Sequence, residues 1–119
     1  MGNYDMEITF LGVDDDGLAE RQTGKSATIS GNALEALEMF NIGLEFNKKR
    51  LRHSASYKTQ ILSTGDSDMI SVPKITRIRF MIYGNTEEIV KDTIDKIYKT
   101  AQGAALITGC KVKKVTKWC

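Results

Sequence analysis

The stretch "KITRIRFMIYGNTEEIVKDTIDKIYKTAQGAALITG", Lys74 to Gly109, decides how this chain folds. Its first ten residues, Lys74 to Tyr83, are rich in β-branched and aromatic side chains and predict a strand. The only proline, Pro73, stands at the entrance to that strand, where a missing N–H does little harm. Asn85, with Glu88 three residues later, resembles a capping box. Val90, Ile94, Ile97, Ala101 and Ala104 then recur at helical spacing, and Gly109 is a suitable stop. The unit is a strand, a short turn and a long helix, and the rest of the chain is read around it.

Towards the N-terminus, "SYKTQILST", Ser56 to Thr64, is a second strand candidate, followed by a turn through Gly65, Asp66, Ser67 and Asp68. Before it lies "ALEALEMFNIGLEFNKKRLR", a helical segment with Asn32 as cap. Glu35 and Glu38 come early in it, and Lys48, Lys49 and Arg50 late, an order that suits the helix dipole. Met6, Ile8 and Phe10 alternate with Glu7 and Thr9, the period-two signature of a half-buried strand. The polar stretch from Asp14 to Ser30, with Gly17 and Gly24, reads as a long loop. On the other side, Lys111 to Trp118 closes the chain as a fourth strand. The order β-α-β-β-α-β is the ferredoxin-like plan of the α+β class, a four-stranded antiparallel sheet with two helices on one face. Right-handed crossovers give strand order 4-1-3-2, so the second and fourth strands are edges and the chain ends emerge side by side. Residues 1–119 form one such domain, of a shape suited to insertion within another.

Composition narrows the function classes. A net charge of +2 is too small to predict nucleic-acid binding, and the lysines of "KVKKVTKW" fit the solvent face of a strand. Nothing approaches the roughly 18 consecutive apolar residues of a membrane span, and no basic-then-apolar signal opens the chain. Cys110 and Cys119 stand at opposite ends of the last strand, about 30 Å apart by strand rise, beyond disulfide reach. The chain therefore reads as cytoplasmic, with free thiols. His53 is the only histidine, so a multi-histidine metal site needs ligands from elsewhere.

The first helix has two apolar sides. Ala33, Leu37, Phe40, Leu44 and Leu51 share the side expected to face the sheet, while Met39, Ile42 and Phe46 fall roughly opposite. Single exposed apolar residues are ordinary, but three on one stripe favour a covered surface. The second strand, an edge, carries one lysine and no proline to discourage pairing. The expected partner is a second copy: a homodimer joined through Tyr57, Lys58, Thr59, Gln60, Ile61 and Leu62, with Met39, Ile42 and Phe46 alongside.

"TAQGAALITGCKV", "GNALEAL" at the first helix, "SVP" before the third strand and "RFMIYGNTEEIV" after it, in this order and spacing, carry a resemblance. From about Glu7 to Val115 the chain resembles the dimerisation (lid) domain of the aminoacylase, p-aminobenzoyl-glutamate hydrolase and carboxypeptidase group of zinc amidohydrolases. The resemblance implies a ferredoxin-like insertion that pairs with its twin into one sheet. It also implies a parent enzyme whose separate catalytic domain holds zinc or another divalent metal to polarise an amide and activate water. That domain is not in this sequence, so no catalytic residue and no metal ligand is assigned, and no amide hydrolysis is expected from this chain alone. Family lids often carry a histidine shortly after the first strand and an asparagine three places before the proline. Here "GVDDDGLAE" has no histidine, and Ile70 stands at the asparagine's place. An aspartate cannot donate a proton at neutral pH as an imidazolium can, so the substrate-binding role does not carry over while dimerisation does.

In the aspartate cluster Asp14 to Asp16, the set Asp14, Asp16 and Glu20 does not match the spacing of a calcium loop, and a solvated loop is the default reading. His53 reads as solvent-facing or paired with the helix dipole. Arg77 and Arg79 share one sheet face, where cross-strand pairing with Glu7 is the plain account. Trp118 reads equally as a terminal anchor or a binding residue. A free-standing amino-acid-sensing domain is the alternative on the same βαββαβ plan. RNA binding ranks last, because "ITRIRFMIY" lacks the glycines of an RNA-recognition third strand.

Overall fold

A computed structural model describes residues 2–12, 32–63 and 75–118. The Asp14–Asp16 cluster, the turn at 65–68, Ile70, Pro73 and Cys119 lie outside the described residues. Strands β1 (Gly2–Leu11), β2 (Ser56–Ser63), β3 (Ile75–Gly84) and β4 (Lys111–Trp118) form one antiparallel sheet, with helices α1 (Ala33–Asn47) and α2 (Glu87–Thr108). The order is β2-β3-β1-β4, the ferredoxin-like arrangement expected from the crossover rule. Tyr4 stands opposite Trp118, which places the two ends of the described chain side by side.

Period-two alternation decides what each strand buries. Met6, Ile8 and Phe10 of β1 and Thr76, Ile78, Phe80 and Ile82 of β3 lie against the helices and are all buried. From above, α1 contributes Ala33, Ala36, Leu37, Phe40 and Leu44, and α2 contributes Val90, Ile94, Ile97, Ala101, Ala104 and Ala105. Phe40 meets Phe10 and Phe80 edge-on at 5.4 and 5.6 Å, and Tyr57 meets Phe80 at 5.6 Å, so an aromatic chain runs from β1 through α1 to β2. The buried Thr76 hydroxyl donates to the Ala33 carbonyl at 2.9 Å and fixes the start of α1 over β3.

The helix ends follow local chemistry, with two corrections. Asn32 caps α1 as expected, accepting from the Leu34 and Glu35 amides. The α-helix stops at Asn47, short of the expected Arg52, and a single 3₁₀ turn follows at Lys48–Arg50. Side chains take up carbonyls there: Arg50 donates to the Phe46 carbonyl and Lys96 to that of Arg50. The cap of α2 is Thr86 and not Asn85. Its hydroxyl accepts from the Ile89 amide, the Asn85 amide donates to the Ser54 hydroxyl, and Glu88 pairs with Arg52 at 3.0 Å. Gly109 ends α2 at φ 74°, and the Cys110 amide reaches back to the Ala105 carbonyl at 2.8 Å, a Schellman closure.

Gly103 of α2 has open space where a side chain would go. The tight approach is between the helices, where a Cβ on Gly43 would stand 2.6 Å from the Thr100 methyl. Gly43→Ala is therefore expected to destabilise the fold by about 1–3 kcal/mol. Adding Thr100→Ser removes the methyl while keeping the hydroxyl that accepts from Asn47, and should recover most of the loss. Gly103→Ala should instead stabilise by about 0.5–1 kcal/mol. Urea denaturation of the four proteins checks both signs.

Candidate functional site

The two edges of the sheet differ. The sequence of β4 carries four lysines in eight residues, a charged margin that resists pairing. The other edge, β2, carries only Lys58 and ends in apolar Ile61 and Leu62, which are 49% and 39% exposed. A register shift between Ile61 and Ser63 falls at that end of the strand. Two exposed apolar side chains thus stand together on the margin with the fewest charges, while β4 exposes Val115 among its lysines and the end of α2 exposes Leu106 and Ile107.

Helix α1 takes the β2 flank of the sheet and α2 the β4 flank, since α2 packs on β4 as well as on β1 and β3. Gly43 and Asn47 face α2, through the Thr100 methyl and hydroxyl. At about 100° per residue the outward top of α1 then carries Ile42 and Phe46. They are 52% and 62% exposed, as the sequence pattern predicted. Met39 departs from that pattern: it is half-buried and packs against the core, because it lies on the side leaning towards α2. The side of α1 nearest β2 carries Leu34, Glu38, Asn41 and Glu45. Sequence reasoning missed this row, and only the position of Gly43 against α2 reveals it.

The electrostatics agree with that placement. Lys48 pairs with Glu45 at 2.8 Å, and both charges act on Tyr57 of β2. Burial, the largest effect, pushes the Tyr57 phenol above its ordinary value; Lys48 pulls it down and Glu45 adds to the rise. Because the folded value is raised, this contribution to stability is complete below the unfolded value near 10 and is lost as pH rises through the folded one. A spectrophotometric titration of phenolate should therefore show a late component in the folded chain that a Tyr57→Phe variant lacks.

The remaining candidates have plain surroundings. His53 is exposed. Arg79 stands opposite Glu7 in register, yet it grips Asp5 with two bonds of 2.9 and 2.7 Å, while Arg77 approaches Glu7 at 3.8 Å. Cys110 is a free, half-buried thiol, held above its ordinary value by burial. No group of three or more histidine, cysteine, aspartate or glutamate side chains comes together among the described residues, so they do not fit a metal centre. Among the described residues no helix is long and apolar enough to cross a membrane.

No family model matches the sequence, and no curated protein does. Solved structures do share the fold. A hydantoinase/carbamoylase family amidase from Burkholderia ambifaria superposes over 98% of this chain with TM-score 0.76 and 12% identity. An aminobenzoyl-glutamate utilization protein from Klebsiella pneumoniae matches over 98% with TM-score 0.71 and 16% identity. A dinuclear metal binding peptidase from Bacillus subtilis matches over the same share with TM-score 0.61 and 14% identity. At these identities the likeness is one of fold. The chain spans 28%, 28% and 25% of those three chains.

Proposed function

We propose that this chain is the dimerisation (lid) module of a zinc-dependent amidohydrolase of aminoacylase or peptidase type, acting in the cytoplasm. Two copies join through β2 into one eight-stranded sheet, with the α1 helices side by side above the seam. The observation that carries this reading is the asymmetry of the edges. A margin with one lysine and two exposed apolar side chains lies beside a helix bearing two more, while the opposite margin sets four lysines around its one exposed apolar side chain, Val115. Pairing along β2 buries Ile61 and Leu62 against their counterparts beneath the side of α1 that carries Leu34, Glu38, Asn41 and Glu45. Ile42 and Phe46, on the outward top of that helix, contribute at the upper rim, and each Å² of apolar surface covered is worth about 25 cal/mol. The unpaired backbone groups of β2 gain partners at the same time.

The fold shared with amidases and a peptidase supports the parent class. The chain's short span within those proteins supports a catalytic part that lies elsewhere. Zinc and the water it activates belong to that part in this reading, and amide hydrolysis is the work of the larger protein. Light scattering over a wide concentration range tests the proposal. The expected result is a mass approaching twice that of the 13.3 kDa chain. A chain that stays monomeric at the highest concentration refutes it.

A further inference from the structure

We propose that the open face of the sheet, opposite the helices, is a docking surface for an acidic protein segment that also carries apolar side chains. The face reaches Lys58, Gln60 and Leu62 of β2, but its unspent charge lies on β3 and β4, away from the proposed dimer seam.

The register lays the face out in rows. Ile75, Leu11 and Lys111 form the first row, Arg77, Thr9 and Lys113 the second, and Gln60, Arg79, Glu7 and Val115 the third. Lys58, Met81 and Asp5 follow in the fourth. Successive rows are about 7 Å apart along the strands. Among the described side chains of this face, five cations, Lys58, Arg77, Arg79, Lys111 and Lys113, oppose two carboxylates, Asp5 and Glu7. These described side chains hold an excess of three positive charges, in a chain whose whole net charge is +2.

The distribution within the face says more than the total. Asp5 is only 8% exposed and is held by both arms of Arg79, so the floor of the face is neutralised. Lys111 and Lys113 are exposed and make no ion pair among the described residues, and Arg77 meets Glu7 only at 3.8 Å. The unspent positive charge lies in the first two rows. Ile75 and Val115 stand beside it, 45% and 57% exposed. With Leu62 across from it, Val115 walls a hollow of about 360 Å³ over Asp5, Glu7 and Arg79. Arginine and aliphatic side chains around a neutralised floor are the composition of a protein-binding surface.

The carboxylates choose between partners. Asp5 is taken up by Arg79, but Glu7, on the inner strand β1, is held only at 3.8 Å by Arg77, and a continuous array of phosphates, in a nucleic acid or a bilayer, would meet it. A polypeptide can set its carboxylates over Arg77, Lys111 and Lys113 and an apolar side chain into the hollow.

The test uses a fluorescent peptide of alternating glutamate and leucine, its lysine–leucine counterpart, vesicles with phosphatidylserine, and a single-stranded oligonucleotide. The acidic peptide is expected to bind at low salt, to weaken as salt rises, and to shift the amide resonances of Ile75, Arg77, Lys113 and Val115. The variant Arg77→Glu, Lys111→Glu, Lys113→Glu should bind about tenfold or more weakly while keeping its melting temperature and its oligomeric state. Failure of the acidic peptide to bind overturns the proposal. So does equal binding of the lysine peptide, binding only to vesicles or oligonucleotide, or resonance shifts confined to β2.

Discussion

The double variant Ile42→Glu, Ile61→Glu is expected to sediment as a monomer at concentrations where the unaltered chain is a dimer. Both side chains are about half exposed in the single chain, 52% for Ile42 and 49% for Ile61, so their loss costs the fold little. In the joined form each glutamate would enter a covered surface, and two-fold symmetry would present it twice. An interface anchor contributes about 2 kcal/mol or more, and each 1.4 kcal/mol is a factor of ten, so with two anchors lost from each protomer association weakens by about 1,000-fold or more. Lys113→Glu on the far edge is the control and should leave the dimer intact. A double variant that remains dimeric while folded would remove the apolar seam from the account.

Phe40→Ala is the second large effect, and it acts on the fold itself. Phe40 is 0% exposed and stands between Phe10 of β1 and Phe80 of β3, with edge contacts to both rings. Truncation opens a cavity at the one point where α1, β1 and β3 meet through aromatic rings, with an expected loss of about 3–5 kcal/mol. A domain of this size has roughly 5–15 kcal/mol in all, so the variant should unfold at much lower urea or fail to fold. Phe46→Ala, six residues along the same helix, is the contrast. At 62% exposed it should change the stability of the single chain by less than about 0.5 kcal/mol, yet weaken association. Denaturation at low concentration and light scattering at high concentration separate the two roles.

Much of this was legible because period alone settles which side of an element is apolar. Met6, Ile8 and Phe10 lie two apart, and Val90, Ile94, Ile97, Ala101 and Ala104 three or four apart, and all of them are buried. What could not be read depended on residues distant in sequence. Asn85 and Thr86 are both competent caps. The helix begins at Glu87, so Thr86 is the cap, while the Asn85 backbone N–H donates to the Ser54 hydroxyl, 31 residues earlier. Gly103 has the local look of a close contact, but the contact is at Gly43, and only the crossing of α1 with Thr100 of α2 shows it. Arg79 is set opposite Glu7 by register, as the sequence suggested. Its long side chain instead takes the diagonal bidentate bond to Asp5, since one strongly held carboxylate outweighs a directly opposed one.

The outer stripe of α1 was legible in the same degree. Ile42 and Phe46 point outward as the wheel requires, whereas Met39 is drawn into the core by the placement of α2, which a single helix cannot disclose. The row facing β2, with Asn41 and Glu45, became visible only once α1 was set against the sheet.

Amide hydrogen exchange measured at low and high protein concentration asks most directly whether a second molecule shields the bare margin of the sheet. The account predicts that amides between Tyr57 and Leu62 exchange more slowly as concentration rises, while those of Lys111 to Val115 on the opposite margin do not change. Exchange along β2 that is indifferent to concentration, in a folded chain, would contradict it.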